Sequence, residues 1–224
     1  MTRLELVQRL ASEATGGAGP SSTLNQTYES KRLVNWIDDA YEHVQNLFTN
    51  WKFLRADFSF NTSATVSNYT SASIPLPELN LWIDDSFKCY LTSDGVNVER
   101  ELDYWAWEDF RRIYLFGANR TVPGPPMSFT IKPDNSLLFW PVPDNIYTIT
   151  GEYYKRPQVM AADADEPLIP TRYQKILVWL ALQAYAGYAN APEKYATGKE
   201  QYSTLLQKLV LNQLPDIMLA GPLV

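Results

Sequence analysis

The stretch ILVWLALQAYAGYANAPEKY, residues 176–195, carries no charged side chain from Ile176 to Pro192 and then becomes polar. A transmembrane helix needs roughly 20 predominantly apolar residues, whereas Gln183, Asn190 and Pro192 interrupt this run. The stretch is therefore too short to span a bilayer. It must instead face the protein's own core or another protein.

At helical periodicity this stretch is apolar on two sides. One continuous stripe comprises Tyr173, Ile176, Leu177, Leu180, Ala181, Ala184, Tyr185 and Tyr188. The opposite side carries Val178, Trp179, Leu182 and Ala186. A helix with two apolar sides must be covered on both, so the sequence predicts that neighbours pack against it from more than one direction.

Four helices are predicted near the two ends of the chain. They lie at about 3–14, 29–51, 172–190 and 192–211. The first opens with a Thr2/Glu5 capping box, in which each residue satisfies a free backbone N–H group of the other. Because the helices come from both ends, we predict a helical bundle built from residues 1–52 and 168–211.

Between the helices, residues 53–167 alternate with a period of two and are rich in turn residues, which predicts an inserted antiparallel β domain. Residues 127–157 are typical of a three-stranded meander with turns at Pro133-Asp134-Asn135 and Pro143-Asp144-Asn145. One short helix is predicted at about 104–116. The fold class is therefore α+β.

Composition argues against tight nucleic-acid binding and against a disulfide-linked protein. The chain has 19 basic and 25 acidic residues, a net charge of −6, so there is no overall attraction for phosphates. Cys89 is the single cysteine and is expected to be a small buried hydrophobe. The N-terminal residues lack the apolar run of a secretory signal. We expect the protein to be made in, and to remain in, a reducing cytoplasm until it is incorporated elsewhere.

Motifs that carry chemistry are missing from the sequence. His43 is the single histidine, and the sequence has no Ser-His-Asp set, phosphate-binding glycine loop or His/Cys metal spacing. Adjacent acids such as Asp84-Asp85 point in different directions and do not form a two-carboxylate site. We therefore predict a protein that is not an enzyme, with no catalytic residues, cofactor or metal.

The C-terminal residues 212–224, NQLPDIMLAGPLV, contain prolines and a glycine that prevent a continued helix. Five apolar side chains nevertheless lie in this segment: Ile217, Met218, Leu219, Leu223 and Val224. A frayed tail is normally polar. The segment either packs on its own domain or binds a partner protein. We favour the second, an extended arm whose five apolar side chains bind a partner.

The combined pattern resembles the head-to-tail adaptor (head-completion, connector) proteins of tailed bacteriophages. Three stretches carry the resemblance: RLVNWIDDAYEHVQNLFTNWKFL (32–54), LLFWPVPDNIYTITGEYYKRP (137–157) and IPTRYQKILVWLALQAYAGYA (169–189). None of them is a catalytic signature. The similarity extends over about residues 29–211.

The resemblance implies a structural virion protein that forms a homo-oligomeric ring, typically twelve-fold, beneath the portal protein. It implies that the ring extends the DNA channel, lets DNA pass without specific binding, joins head to tail or nozzle proteins, and is assembled in the host bacterial cytoplasm. It also implies that the C-terminal arm reaches the portal or a neighbouring subunit. In such a ring, Val178, Trp179, Leu182 and Ala186 are expected at the subunit interface.

A carbohydrate- or ligand-binding β module on a helical stalk is the alternative. Trp82, Trp105, Trp107 and Trp140 would then form the binding platform. Exposure separates the two interpretations, because a ligand platform needs at least two indole rings on one open face.

Overall fold

The structure is a computed structural model that describes residues 1–70 and 72–214. Its α-helices are α1 (Arg3–Thr15), α2 (Tyr28–Asn46), α3 (Trp107–Ile113), α4 (Lys175–Ala189) and α5 (Pro192–Gln213). Its longer strands are β1 (Arg55–Asn61), β3 (Leu79–Trp82), β4 (Lys88–Leu91), β8 (Ser128–Ile131), β9 (Leu137–Trp140) and β11 (Tyr147–Lys155). The two-residue strands are β2 (Asn68–Tyr69), β5 (Arg100–Glu101), β6 (Asp103–Tyr104), β7 (Pro123–Gly124) and β10 (Val142–Pro143).

These elements form two compact units and confirm the α+β fold class. The helical unit contains Met1–Leu54 and the described residues from Pro157 onward, and the β unit contains Arg55–Arg156. The N- and C-terminal helices are in contact, since α4 packs against both α1 and α2. Residues 157–167, which were predicted to belong to the β domain, cluster with the helices instead.

Helix α4 is the centre of the helical unit, where α1, α2 and α5 pack against it. Its buried side chains are Ile176, Leu177, Val178, Ala181, Leu182 and Ala186. Helices α1 and α2 each contribute one apolar face, which includes Leu6 and Leu10 from the first and Ile37 and Val44 from the second. Because α4 has no charged side chain after Lys175, it can be surrounded on several sides without burying a charge.

Helix ends follow local chemistry. The predicted capping box of α1 is confirmed, since Thr2 and Glu5 bond each other's backbone N–H groups, and Gly16 ends the helix in the left-handed conformation. Helix α2 ends at Asn46, earlier than predicted. Trp51 therefore lies outside the helix, where its buried indole donates a 3.1 Å hydrogen bond to the carbonyl oxygen of Val44.

A buried arginine joins separate segments of the helical unit. The Arg3 side chain donates to both carboxylate oxygens of Asp38 on α2, at 3.0 and 2.6 Å. It also donates to the Thr23 hydroxyl, at 3.1 Å, and to the carbonyl oxygen of Ala161, at 2.7 Å. Arg3 is only 8% exposed, so these bonds replace water around a buried charge. The bond to Ala161 is one contact that holds this segment against the helices.

The β unit consists of two main sheets. In the first, the strand order is β1-β11-β4-β5, and β3 also pairs with β11; in the second it is β2-β9-β8-β6. Strands β8 and β9 form the predicted hairpin, but β11 pairs with β1, β3 and β4 rather than with β9. The prediction of a three-stranded meander is therefore wrong. Pro141 and Pro143 lie between β9 and β11 and have no N–H group with which to continue the β9 ladder.

An aromatic-rich core fills the β unit. Its buried members are Phe58, Phe60, Tyr69, Ile74, Leu79, Trp82, Phe87, Cys89, Leu102, Phe129, Leu137, Phe139, Tyr147, Ile149 and Tyr153. Most of them come from strands of the two main sheets, whereas Ile74, Phe87 and Leu102 lie between strands. On β1, the core residues Phe58 and Phe60 alternate with side chains that face away from the core. Burial raises the pKa of the Cys89 thiol, as expected for a cysteine that acts as a small hydrophobe.

Replacing Arg3 by Ala should destabilise the chain by about 2 to 4 kcal/mol, because Asp38, Thr23 and Ala161 all lose a buried donor. Chemical denaturation measures this change. Arg9→Ala, on the same helix, is the matched control: Arg9 pairs with Glu13 at the surface, and we expect a change below about 1 kcal/mol. Equal effects of the two variants would show that the Arg3 contacts do not stabilise the unit.

Two helical glycines should respond oppositely to alanine. A Cβ at Gly198 on α5 would lie 3.0 Å from the backbone oxygen of Trp179 on α4, whereas one at Gly187 meets no described atom within 4 Å. We expect Gly187→Ala to stabilise by about 0.5 to 1 kcal/mol. Gly198→Ala should destabilise by about 1 kcal/mol, since overpacking exceeds the gain in helix propensity. Stabilisation by both, in thermal unfolding, would contradict the close α4–α5 contact.

Candidate partner-binding surfaces

The five apolar residues predicted to bind a partner lie outside the described residues: Ile217, Met218, Leu219, Leu223 and Val224. Helix α5 extends to Gln213, slightly beyond the predicted start of the arm at residue 212. Docking of these side chains therefore stays a prediction. The remaining candidate surfaces lie on described helices and strands.

The side of α4 that was predicted to meet a neighbouring subunit is largely covered within the chain. Val178, Leu182 and Ala186 are 1, 2 and 3% exposed, and Trp179 is half-buried. The reason is that α4 is enclosed by α1, α2 and α5, so both predicted sides find partners within one unit. A subunit contact through these four residues would have little side-chain surface to use.

A different face of α4 is left open. Leu180 is half-buried, Ala184 is exposed, and Tyr188 is 60% exposed. Leu180 and Ala184 line a groove of about 480 Å³. Its other lining residues include Trp36, Ala40 and His43 of α2 and Tyr195 of α5. Sequence periodicity placed Leu180, Ala184 and Tyr188 on the stripe facing the bundle, and the structure places them at its edge.

Aromatic and basic side chains border this groove. The Trp36 ring lies 5.9 Å from that of Tyr185 and 5.8 Å from that of Tyr188. The guanidinium of Arg32 lies 4.2 Å from the centre of the Tyr188 ring, and the Lys194 ammonium lies 5.6 Å from that of Tyr185. Trp, Tyr and Arg are the residues most enriched at energetically important interface positions. The groove therefore has the composition of a protein-binding surface.

His43 lies at this groove as an exposed residue. Asp39, one turn earlier on α2, also lines the groove, but no hydrogen bond or ion pair joins these two described residues. Within residues 1–70 and 72–214, no group of three or more His, Cys, Asp or Glu side chains could hold a metal ion. No helix in this part of the chain is both long and apolar enough to cross a membrane.

The four tryptophans considered for ligand binding do not form an open platform. Trp82 is 4% exposed in the β core, where its indole donates to the Asn135 carbonyl oxygen. The half-buried rings of Trp105 and Trp140 both pack against Tyr114, at 5.7 and 4.4 Å. Trp107 is contacted by two cationic side chains, at 5.6 and 6.0 Å. Because the chain's own side chains occupy these rings, the geometry does not favour a sugar-binding site.

Comparison with known protein families decides between the remaining interpretations. A family model described as SU10 adaptor protein matches residues 1–223. The chain belongs to the SU10 adaptor protein family. This finding confirms the resemblance to tailed-phage head-to-tail adaptors, and SU10 adaptors are structural proteins of phage particles. No curated protein matches the chain.

The groove on the helical unit is the kind of surface that protein contacts use. Apolar and aromatic side chains line the groove between α2 and α4 together with Asp39 and His43, and the exposed Tyr188 lies next to it with Arg32 over its ring. Sequence periodicity placed Tyr188 on one apolar stripe of α4 and did not link it to Trp36 of α2. Their clustering across two helices was a tertiary feature with no local signal.

Proposed function

We propose that this SU10 adaptor forms a ring beneath the portal, extends the DNA channel and joins the phage head to the tail. The observation that carries the proposal is the family match over residues 1–223. The partners are then the portal on one side of the ring and tail or nozzle proteins on the other. We take the ring as twelve-fold, the symmetry that the resemblance implies.

DNA would pass through such a ring without specific binding. The chain's net charge of −6 supports this part of the proposal, because an acidic channel repels phosphates and lets a duplex slide. A channel rich in unpaired arginines would hold the duplex instead. The junction is therefore proposed as a conduit at the head-tail boundary of the virion.

Within the ring, we assign one neighbour contact to the groove between α2 and α4. Trp36, Leu180, Ala184 and Tyr188 present apolar or aromatic surface to solvent in the single chain. Of the four residues first predicted for this contact, Trp179 alone keeps partial exposure. A contact made by these few side chains is weak alone. Binding of the subunits to the portal would therefore be needed to complete the ring.

The C-terminal arm is proposed to dock on the portal or on a neighbouring subunit. Burying each large apolar side chain contributes about 1.5 to 3 kcal/mol, whereas ordering the backbone costs about 1 to 2 kcal/mol per residue. A preformed groove that buries most of the five side chains is therefore required. Repetition around a ring would turn a marginal contact into a durable one.

The ring proposal predicts association that depends on the portal. We expect the purified chain to be largely monomeric at low concentration and to form rings when portal is added, as measured by native mass spectrometry. Ala184→Glu should prevent ring formation, because it adds a carboxylate to a groove that Asp39 already lines and that a neighbouring subunit would have to cover. Its thermal unfolding should stay close to that of the parent, since Ala184 is exposed.

Lys199→Glu is the matched control, because Lys199 is exposed on α5 outside the groove lining. It should form rings as the parent does. A tight ring at nanomolar concentration without portal would contradict the template requirement. Failure of the parent chain to bind portal at all would contradict the proposed function.

If the arm docks on a partner, removing residues 215–224 should abolish attachment to heads and leave the folding of the chain unchanged. The truncated chain keeps α5 through Gln213, so its melting temperature should change little. Stable attachment to DNA-filled heads should be lost, which co-sedimentation measures. A full-length variant with Ile217→Ser, Met218→Ser and Leu219→Ser should behave like the truncation, because the apolar side chains provide the affinity. A large fall in melting temperature would show that the arm belongs to its own core.

A further inference from the structure

The outer side of the first sheet is an exposed, charged surface. Side chains at alternate positions of β1, β4 and β11 face away from the β core. With two neighbouring turns they line a hollow of about 710 Å³, here named the sheet-face hollow. Its charged members are Arg55, Asp57, Asp85, Lys88, Glu99 and Glu152. Four carboxylates therefore share this surface with two basic groups.

Charge in the sheet-face hollow is not balanced by the chain itself. Arg55 pairs with Glu152, and Lys88 with Glu99. Within residues 1–70 and 72–214, neither Asp57 nor Asp85 has a basic group within 4.0 Å. Asp57 is also directly opposite Glu152 in the β1–β11 register. Like charges at such positions are destabilising, so a cationic group from outside would relieve the repulsion.

A complementary surface is formed by α3 and the turn that follows it. Arg111, Arg112 and Arg120 line a hollow of about 720 Å³ together with Glu108, Leu115 and Phe116. The Phe116 ring is 76% exposed. No carboxylate in the described part of the chain lies within 4.0 Å of the Arg120 guanidinium. We call this region the α3 surface. It joins a basic group to an exposed aromatic ring, as interface positions often do.

The α3 surface and the sheet-face hollow lie on opposite sides of the β unit. Phe129, Leu137 and Phe139 of β8 and β9 face the core, so the alternate residues face the other way. Of these, Thr130 and Leu138 are nevertheless buried. On this side α3 packs on β8, and Tyr114, which follows α3, packs on Trp140 of β9. The layers therefore run in the order α3, second sheet, core, first sheet, with the sheet-face hollow outermost.

We propose that the α3 surface of one copy docks in the sheet-face hollow of the next copy. Arg120 and Arg112 would meet Asp57 and Asp85, and Phe116 would be covered by the neighbouring sheet. Contact between opposite sides of one unit is heterologous, and repetition closes a ring when the rotation permits. The inference rests on the proposed ring function and names a contact separate from the α2–α4 groove.

A second copy fits the α3 surface better than DNA does. Arg111 and Arg112 already pair with Glu108 and Asp109, at 3.4 and 2.8 Å. These two carboxylates are exposed and would repel phosphates. A protein surface that carries both signs of charge, such as the sheet-face hollow, can accommodate them.

The test exchanges charge between the two surfaces. One variant carries Arg112→Glu and Arg120→Glu, and the other carries Asp57→Lys and Asp85→Lys. We expect each alone to self-associate at least about tenfold more weakly than the parent, in concentration series with and without portal, because like charges meet. An equimolar mixture should recover assembly, since alternating copies place opposite charges at every contact.

Controls separate folding from association. Phe116→Ser, which leaves the charge unaltered, should also weaken association. Thermal unfolding should show that every variant is folded. Lys199→Glu with Lys208→Glu, on α5, changes the net charge by the same amount as the arginine variant and should associate as the parent does. The proposal is overturned if both exchanged variants associate normally, if their mixture stays as weak as each alone, or if the arginine variant loses only binding to a short DNA duplex. Normal rings of the parent chain on portal in those cases would leave the proposed function intact.

Discussion

The helical unit depends on one constraint: α4 has to be covered. From Ile176 to Ala189 this helix has no charge, and exposing it would cost roughly 25 cal/mol for each Å² of apolar surface. Helices from both ends of the chain pack around it, and the buried Arg3 of α1 joins α2 to the segments that contain Thr23 and Ala161. Coverage is incomplete along Leu180 and Ala184, and this open edge is the surface that we assign to a neighbouring subunit.

The β unit is stabilised by aromatic packing between its two main sheets. Its inner faces are filled by rings such as Phe87 and Phe129, whose centres lie 4.1 Å apart. Its outer sides differ in chemistry, because α3 brings arginines to one side while the first sheet leaves carboxylates on the other. A unit with two unlike outer sides suits the heterologous association between copies that the proposed ring requires.

Features with a local signal were predictable from sequence. The Thr2/Glu5 cap, the α1 stop at Gly16 and the β8–β9 hairpin follow from residue spacing and turn chemistry. Periodicity could not show which side of α4 would remain open, because both sides are apolar and the choice is made by three other helices. The same limit applies to β11, whose partners are set by sheet packing, and to Arg3, whose acceptors lie 20 to 158 residues away.

Complementation of phage heads tests the central claim most directly. DNA-filled heads would be prepared from cells infected with a phage that cannot make this protein. The heads would be mixed with tails, with or without the purified chain, and infectious particles would be counted. If the chain joins head to tail, heads without it should not yield infectious particles, and adding it should restore them. Heads that accept tails and become infectious without the chain would contradict the account.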